Sequence, residues 1–269
     1  MKVVPARPAP SASPPLVELD GVRKRYETGT GTDLLALDGV DGAVAASSFC
    51  SIVGPSGCGK STLLMITAGL SLPSSGRVVI AGQPVTGPRP DVGMVFQRDL
   101  LLEWRTVLDN VLLPIELKRL PQADFEERAR SLLELVGLEG FEDCYPDQLS
   151  IGMRQRAALC RSLIHDPALL LMDEPFASVD ALTREKLGLD LIRLTTGREH
   201  TVLLVTHSVE EAVLLSDQVL VMSPRPGRVL RRFEVDLPKP RTLASRSDPR
   251  FHRLVAEIRS VFQATGVLS

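Results

Sequence analysis

Eight residues, Gly54-Pro-Ser-Gly-Cys-Gly-Lys-Ser61, do most to limit what this chain can fold into. Their Gly-x4-Gly-Lys-Ser spacing is that of a phosphate-binding loop, which requires a strand before it and a helix after it. Both are legible. Phe49-Cys-Ser-Ile-Val53 is a short β-rich run entering the loop, and an apolar helical pattern continues from Thr62 to Leu70. An ordinary Gly-rich turn is the plain alternative, and average residue usage produces such a pattern by chance in about one chain in a hundred of this length. The flanking strand and helix decide against it. On this reading Gly54, Pro55, Ser56, Gly57, Cys58, Gly59, Lys60, Ser61 and Thr62 form a nucleotide site. Backbone N–H groups and the helix N-terminus surround phosphate, Lys60 neutralises its charge, and the Ser61 hydroxyl binds Mg²⁺.

The rest of the chain fits one large α/β domain with an inserted subdomain. Its 269 residues suffice for a sizeable core, and 44% hydrophobic with only 4% aromatic residues suits a buried parallel sheet. Net charge is formally −2 with both signs scattered, so no basic field points to nucleic acid. The longest apolar runs, such as Ala168–Met172 and Val202–Val205, are strand-length, far below the roughly 20 residues that span a bilayer. Residues 1–15, mostly Pro, Ala and Ser beyond the first few, read as a disordered leader without the apolar core of a secretory signal. Cys50, Cys58, Cys144 and Cys160 lack Cys-x-x-Cys spacing, which argues against a zinc or disulfide framework and for a reducing compartment.

Along the chain, Leu16–Leu19 and Val22–Tyr26 alternate as an antiparallel edge, followed by a Gly/Thr-rich loop at 27–32. Strands are expected near 77–80 and 92–96. A helical insertion, roughly 98–165, includes an amphipathic helix over 123–136 that ends at Gly137. Strands resume at 168–172, 201–205 and 217–222 with helices between, the alternation of a parallel sheet covered on both faces. Ser208 and Glu211 have capping-box spacing, and Asp248-Pro249 is a cap and first-turn pair for a last helix to about 263.

Acidic residues stand where a hydrolytic centre needs them. The run Leu169–Met172 delivers Asp173 and Glu174 to the C-terminal end of a strand, where ligand sites of open α/β sheets lie. Asp173 is suited to hold Mg²⁺ through its water shell, and Glu174 to polarise an attacking water as general base. A helix-capping carboxylate pair is the alternative. His207 follows the strand Thr201–Thr206, where a neutral imidazole can bridge a phosphate. Gln97, after the strand Val92–Phe96, can reach Mg²⁺ or the water with its amide, although a lone Gln there is usually a surface residue. In Leu149-Ser-Ile-Gly-Met153, Ser150 and Gly152 sit where a helix begins, a second donor set for phosphate.

The phosphate loop, Gln97, Leu149-Ser150-x-Gly152-Met153-Arg154-Gln155-Arg156, Asp173-Glu174-Pro175, Ser178-Val179-Asp180 and His207, in this order, resemble the ATP-binding subunit of ABC transporters over residues 16–235. The resemblance implies a P-loop ATPase fold with a mixed sheet core, an antiparallel edge subdomain and a helical insertion, with 236–269 as a one-helix C-terminal extension. It implies a homodimer sandwiching two ATP molecules, with Ser150 and Gly152 acting on the partner's ATP. Tyr26 matches the aromatic that stacks on adenine, an edge-strand aromatic being the alternative, and Asp180 matches an acid at the dimer interface. Phe96–Asn110 and Met222–Arg228 look like the nitrate/sulfonate/taurine group of importers. That implies transmembrane permease subunits, a periplasmic solute-binding protein acting indirectly, and a place on the cytoplasmic face of the inner membrane. Trp104 falls where such a family receives its permease, with core packing as the other reading.

Two positions depart from the family pattern. Ile151 stands in place of the first signature glycine, harmless if φ is negative and not if φ is positive. Ala45-Ala-Ser-Ser48 lacks a usual glycine turn before the P-loop strand. A non-transport ABC ATPase acting on nucleic acid or the ribosome is the alternative function; such proteins commonly carry coiled-coil arms or tandem cassettes, and neither is seen in this sequence. A small-molecule phosphotransferase would leave the Leu149–Met153 segment without purpose.

Overall fold

The computed structural model describes residues 15–27, 33–195 and 200–265. The expected leader, apart from Pro15, and positions 28–32 of the expected loop lie outside the described residues. In chain order the elements are β1 (Pro15–Tyr26), β2 (Leu34–Ala45), β3 (Phe49–Val53), α1 (Lys60–Thr67), β4 (Ser75–Ile80), β5 (Gln83–Pro84), β6 (Val92–Val95), α2 (Val107–Leu117), α3 (Ala123–Leu135), α4 (Ile151–Leu163), β7 (Leu169–Asp173), α5 (Ala181–Thr195), β8 (Thr201–Thr206), α6 (Val209–Leu215), β9 (Gln218–Met222), β10 (Val229–Glu234) and α7 (Pro249–Ala264). They form two compact units, one from residues up to 89 and from 201 onward, the other from 90–200.

In the first unit, β3 runs parallel to both β8 and β9, while β10 closes antiparallel on β9. Every residue of β3, β8 and β9 is buried, as expected of strands covered on both faces. Beside this mixed sheet lies an antiparallel one, β2-β1-β4-β5. There the alternation of β1 buries Val17, Leu19 and Val22 and exposes Glu18, Asp20, Arg23 and Arg25. The strand β2 is not evident in the sequence, because Asp38-Gly39 and Asp41-Gly42 interrupt its apolar pattern and its register with β1 shifts along that stretch. The turn into β3 carries Ser47 at φ 54, so a non-glycine residue takes the left-handed position at the point where a family glycine is missing. The helix α1 stops at Thr67, short of the expected Leu70, as the chain turns at Gly69 with φ +73.

After β9 and β10 the chain returns over this unit. Phe251, Leu254, Val255, Ile258 and Phe262 of α7 pack with Val209, Val213 and Leu214 of α6 and with Val53 at the end of β3. Asp248 caps α7 through its side chain, which accepts from the Arg250 N–H at 2.8 Å.

The second unit pairs β6 parallel with β7 and packs α2, α3 and α4 together, with α5 against α3 and α4. Its α3 ends with Gly137 at φ +70. Buried Asn110 on α2 donates to the carbonyls of Leu102, Arg105 and Thr106 and accepts from the Leu102 N–H at 2.7 Å. It fixes the 102–106 segment from inside. Trp104, on that segment, is 74% exposed, which removes the core-packing reading.

Candidate active site

In the first unit, β3 ends at Val53 and the chain turns through the glycine-rich loop into α1. Gly59 precedes the helix at φ +107, where a Cβ would come within 2.7 Å of Leu37 and 2.9 Å of the Ala36 carbonyl, so the turn requires glycine. No side chain caps α1, and its first turn holds no acid. Its N–H groups and partial positive charge thus face the loop, the arrangement that favours an anion. Lys60 is only 3% exposed, and its ammonium donates to the carbonyls of Gly54 at 2.9 Å and Pro55 at 3.1 Å. His207 comes from the end of β8, and its Nδ1 lies 3.4 Å from Lys60 Nζ and 3.2 Å from the Gly54 oxygen. That nitrogen can accept from Lys60 with the proton on Nε2, or carry the proton and donate to Gly54, and not both at once.

Ser208, next along, caps α6 by accepting from the Glu211 N–H at 3.2 Å. The Glu211 carboxylate instead accepts from the Thr206 hydroxyl, so the capping box is half formed and the end of β8 is tied to α6. Tyr26, 39% exposed at the end of β1, has its hydroxyl 3.5 Å from Thr62 Oγ1 on α1, with the Lys24 ammonium 5.1 Å from its ring centre. An aromatic ring beside the start of the phosphate helix suits a purine base. The first unit therefore assembles Tyr26, the loop 54–62 and His207.

Gln97, Ser150, Gly152, Asp173 and Glu174 belong to the second unit. Asp173 ends β7 at 9% exposure and Glu174 follows at φ 47, a left-handed conformation costly for a non-glycine residue and concentrated at functional sites. After it, the carbonyls of Phe176 and Val179 each accept from Arg184 at 3.2 Å, while Asp180 accepts from the Thr183 hydroxyl at 2.7 Å and from its N–H at 3.1 Å. Those bonds from Thr183 hold the Asp180 carboxyl below its usual range. Ser150 caps α4, its hydroxyl oxygen accepting from the Met153 N–H at 3.3 Å. An oxygen that accepts at a cap still carries an O–H to donate, so the cap is compatible with an anion at the same helix end. Ile151, 48% exposed, is the first helical residue and is not among those with positive φ. The signature position therefore takes a side chain without backbone strain.

Gln97 lies two residues beyond β6 with an exposed side chain, and its carbonyl accepts from the Gln155 amide at 3.1 Å. Around it is a tether that the sequence reading does not find. Arg154 of α4 pairs with the Asp99 carboxylate at 3.1 Å, and Arg161, two turns on, donates to the Asp99 and Leu100 carbonyls at 2.6 and 2.7 Å. One helix thus carries Ser150 at its start and holds the segment after Gln97 along its side. The seven-residue spacing of Arg154 and Arg161 marks a basic stripe on that face, the one signal that the sequence offered.

A family model described as ABC transporter matches residues 37–177. The chain belongs to the ABC transporter family. Among its ABC relatives, an uncharacterized ABC transporter ATP-binding protein, MJ0412 of Methanocaldococcus jannaschii, is 47% identical over 85% of this chain and 85% of its own. The taurine import ATP-binding protein TauB of Burkholderia thailandensis is 45% identical over 81% of this chain and 86% of its own, and that of Rhizobium johnstonii 41% over 93% and 97%. A solved ABC cassette, MJ0796 in a dimeric post-hydrolysis state bound to ADP and Pi, superposes with TM-score 0.72 at 32% identity, covering 81% of this chain and 98% of that one. The cassette cbiO1 from Clostridium perfringens, part of the cbiONQ transporter complex, gives 0.72 at 27% identity over 82% and 88%. This ABC chain binds and hydrolyses ATP on a mixed-sheet cassette fold. Among the described residues no helix is long and apolar enough to cross a membrane.

Proposed function

We propose that the chain is the ATP-hydrolysing subunit of an importer for a small anionic or organic solute of the nitrate, sulfonate or taurine kind. The observation that carries the nucleotide chemistry is the convergence of Lys60 and His207 Nδ1 on the Gly54 carbonyl beneath the uncapped start of α1. Lys60 is a cation at the start of α1, and a charged phosphate oxygen is a stronger hydrogen-bond partner for it than a neutral carbonyl. The taurine importers among the relatives support the transport class.

In this reading Tyr26 receives the adenine, the loop 54–62 the phosphates, and Glu174 takes a proton from the attacking water. His207 orients that water or the terminal phosphate. Ser61, Gln97 and Asp173 offer a hydroxyl, an amide and a carboxylate, the hard oxygen set that Mg²⁺ prefers, and they would hold it. The ion would neutralise charge on the phosphates. Residues 16–235 make up the cassette, with a helical subdomain over about 98–165, and 236–269 an extension that carries α7.

Two chains close on two ATP molecules, with Ser150 and Gly152 of each donating to the other's nucleotide. Closure follows because Ser150 and the Gly152 N–H reach γ-phosphate oxygens only across the interface, so ATP binds the closed state better than ADP does, and that differential affinity shifts the population. Exposed Trp104 and Leu117, on segments joined by the Arg105–Glu116 pair at 2.5 Å, each offer an apolar side chain to the permease. The solute reaches that permease from a periplasmic binding protein, and the chain works on the cytoplasmic face of the inner membrane. An ATPase assay with and without DNA, combined with co-purification of permease subunits, tests this. Permease capture with DNA-independent hydrolysis is expected, and DNA-stimulated hydrolysis without a permease would overturn it. Lys60→Ala is expected to abolish ATP binding in an equilibrium titration, and unchanged affinity would remove the phosphate-loop assignment.

A further inference from the structure

The segment after β9, Ser223-Pro-Arg-Pro-Gly-Arg228, has no part in the site as described, yet it is built against the back of the phosphate loop. Its own shape is closed by the Ser223 N–H on the Arg228 carbonyl at 2.9 Å and by the Ser223 hydroxyl, which donates to the Pro226 carbonyl and accepts from the Arg228 N–H, both at 3.0 Å. It is stitched to β2, with the Gly227 N–H on the Ala36 carbonyl at 2.9 Å and the Asp38 N–H on the Gly227 carbonyl at 3.0 Å. Arg228 pairs with Asp38, which Arg23 also holds at 3.2 Å. Gly227 approaches so closely that a Cβ there would overlap the Cys58 carbonyl oxygen. From this platform exposed Arg225 reaches over the loop and donates through Nε to the Gly57 carbonyl at 3.0 Å.

We propose that Ser223–Arg228 is a brace for the phosphate loop and that Arg225 is a positioning residue setting its affinity for the nucleotide polyphosphate. The inference rests on the phosphate-loop reading above. Gly57, at φ +71, has wide backbone freedom. A peptide is planar, so fixing its carbonyl fixes its N–H. The Gly57–Cys58 peptide is held at both ends, by Arg225 on the carbonyl and by the Cys58 N–H on the Pro55 carbonyl at 3.3 Å. Its neighbours then keep their N–H groups in one arrangement before any nucleotide arrives, and ordering them is no longer charged against binding. The guanidinium also adds positive charge beside an anion site.

Arg225→Ala and Arg225→Lys test this, with ATP and ADP dissociation constants, KM and kcat, and thermal unfolding of nucleotide-free protein measured on the full chain. Loss of one charged hydrogen bond predicts that Arg225→Ala weakens ATP and ADP alike, by about fivefold to tenfold. KM rises with kcat nearly unchanged, and the nucleotide-free melting temperature stays put because the side chain is exposed. Arg225→Lys, with the charge and rotatable N–H donors but no planar fork, recovers part of the affinity. Unchanged dissociation constants for Arg225→Ala overturn the brace, as does a weakening matched by loss of apo stability. If wild type does not bind ATP, or Lys60→Ala binds as wild type does, the phosphate-loop reading fails and the brace falls with it.

Discussion

Lys60 and Glu174, proposed for binding and for chemistry respectively, sit in different local environments. Lys60 is buried against loop carbonyls, whereas Glu174 follows a fully buried strand in a left-handed conformation. Replacing Glu174 with Gln keeps its size and removes its capacity to take a proton. Hydrolysis is expected to fall by about 10²- to 10⁴-fold, the usual worth of a general base, with ATP affinity retained. Single-turnover hydrolysis beside equilibrium binding checks this, and rapid turnover by Glu174→Gln would remove Glu174 from that role. Ile151 is a different case. It occupies the first helical position of α4 without positive φ, so Ile151→Gly is expected to leave the ATPase rate within about twofold while lowering stability by about 0.5–1 kcal/mol through backbone entropy. Steady-state rates and urea unfolding of the same preparation distinguish this from a rate gain, which would mean that the side chain obstructs the site.

At the scale of elements, what the sequence discloses tracks how local the cause is. Strands β3, β7 and β8 read directly because unbroken apolar runs are what burial on both faces requires. Ser208 and Asp248 read as caps because a cap depends on a few neighbours. β2 does not, since its glycines and aspartates serve turns and ion pairs that only the fold supplies. The α4 tether and the Arg225 contact join residues more than 50 positions apart, beyond any periodicity. The end of α4 also carries a titration. His165 is pushed down from 6.5 to about 4, chiefly by burial and then by Lys118 and Arg128. A group with a lowered folded pKa stabilises fully above its unfolded value, so stability is present above pH 6.5 and lost as pH falls toward 4. His165→Gln is expected to flatten that acid limb. Urea midpoints at pH 7.5 and 5 measure it, and an unchanged slope would assign the acid loss elsewhere.

At the scale of the molecule, the residues proposed for nucleotide chemistry are divided between the two units. The phosphate loop, His207 and Tyr26 lie in one, and Asp173, Glu174, Gln97 and the Ser150 helix start in the other. In the proposed reading, the Ser150 helix start acts on the nucleotide of a second chain. Trp104 and Leu117 are both exposed, and in the proposed reading they meet the permease. The central claim is that ATP joins two chains through Ser150 and Gly152. Its most direct test is the molar mass of Glu174→Gln by light scattering, with and without saturating ATP and with Ser150→Ala added in the same background. Twice the monomer mass with ATP, monomer without it, and a weakened dimer when Ser150 is removed are the predicted results. A monomer at saturating ATP, or a dimer indifferent to both nucleotide and Ser150, would contradict the account.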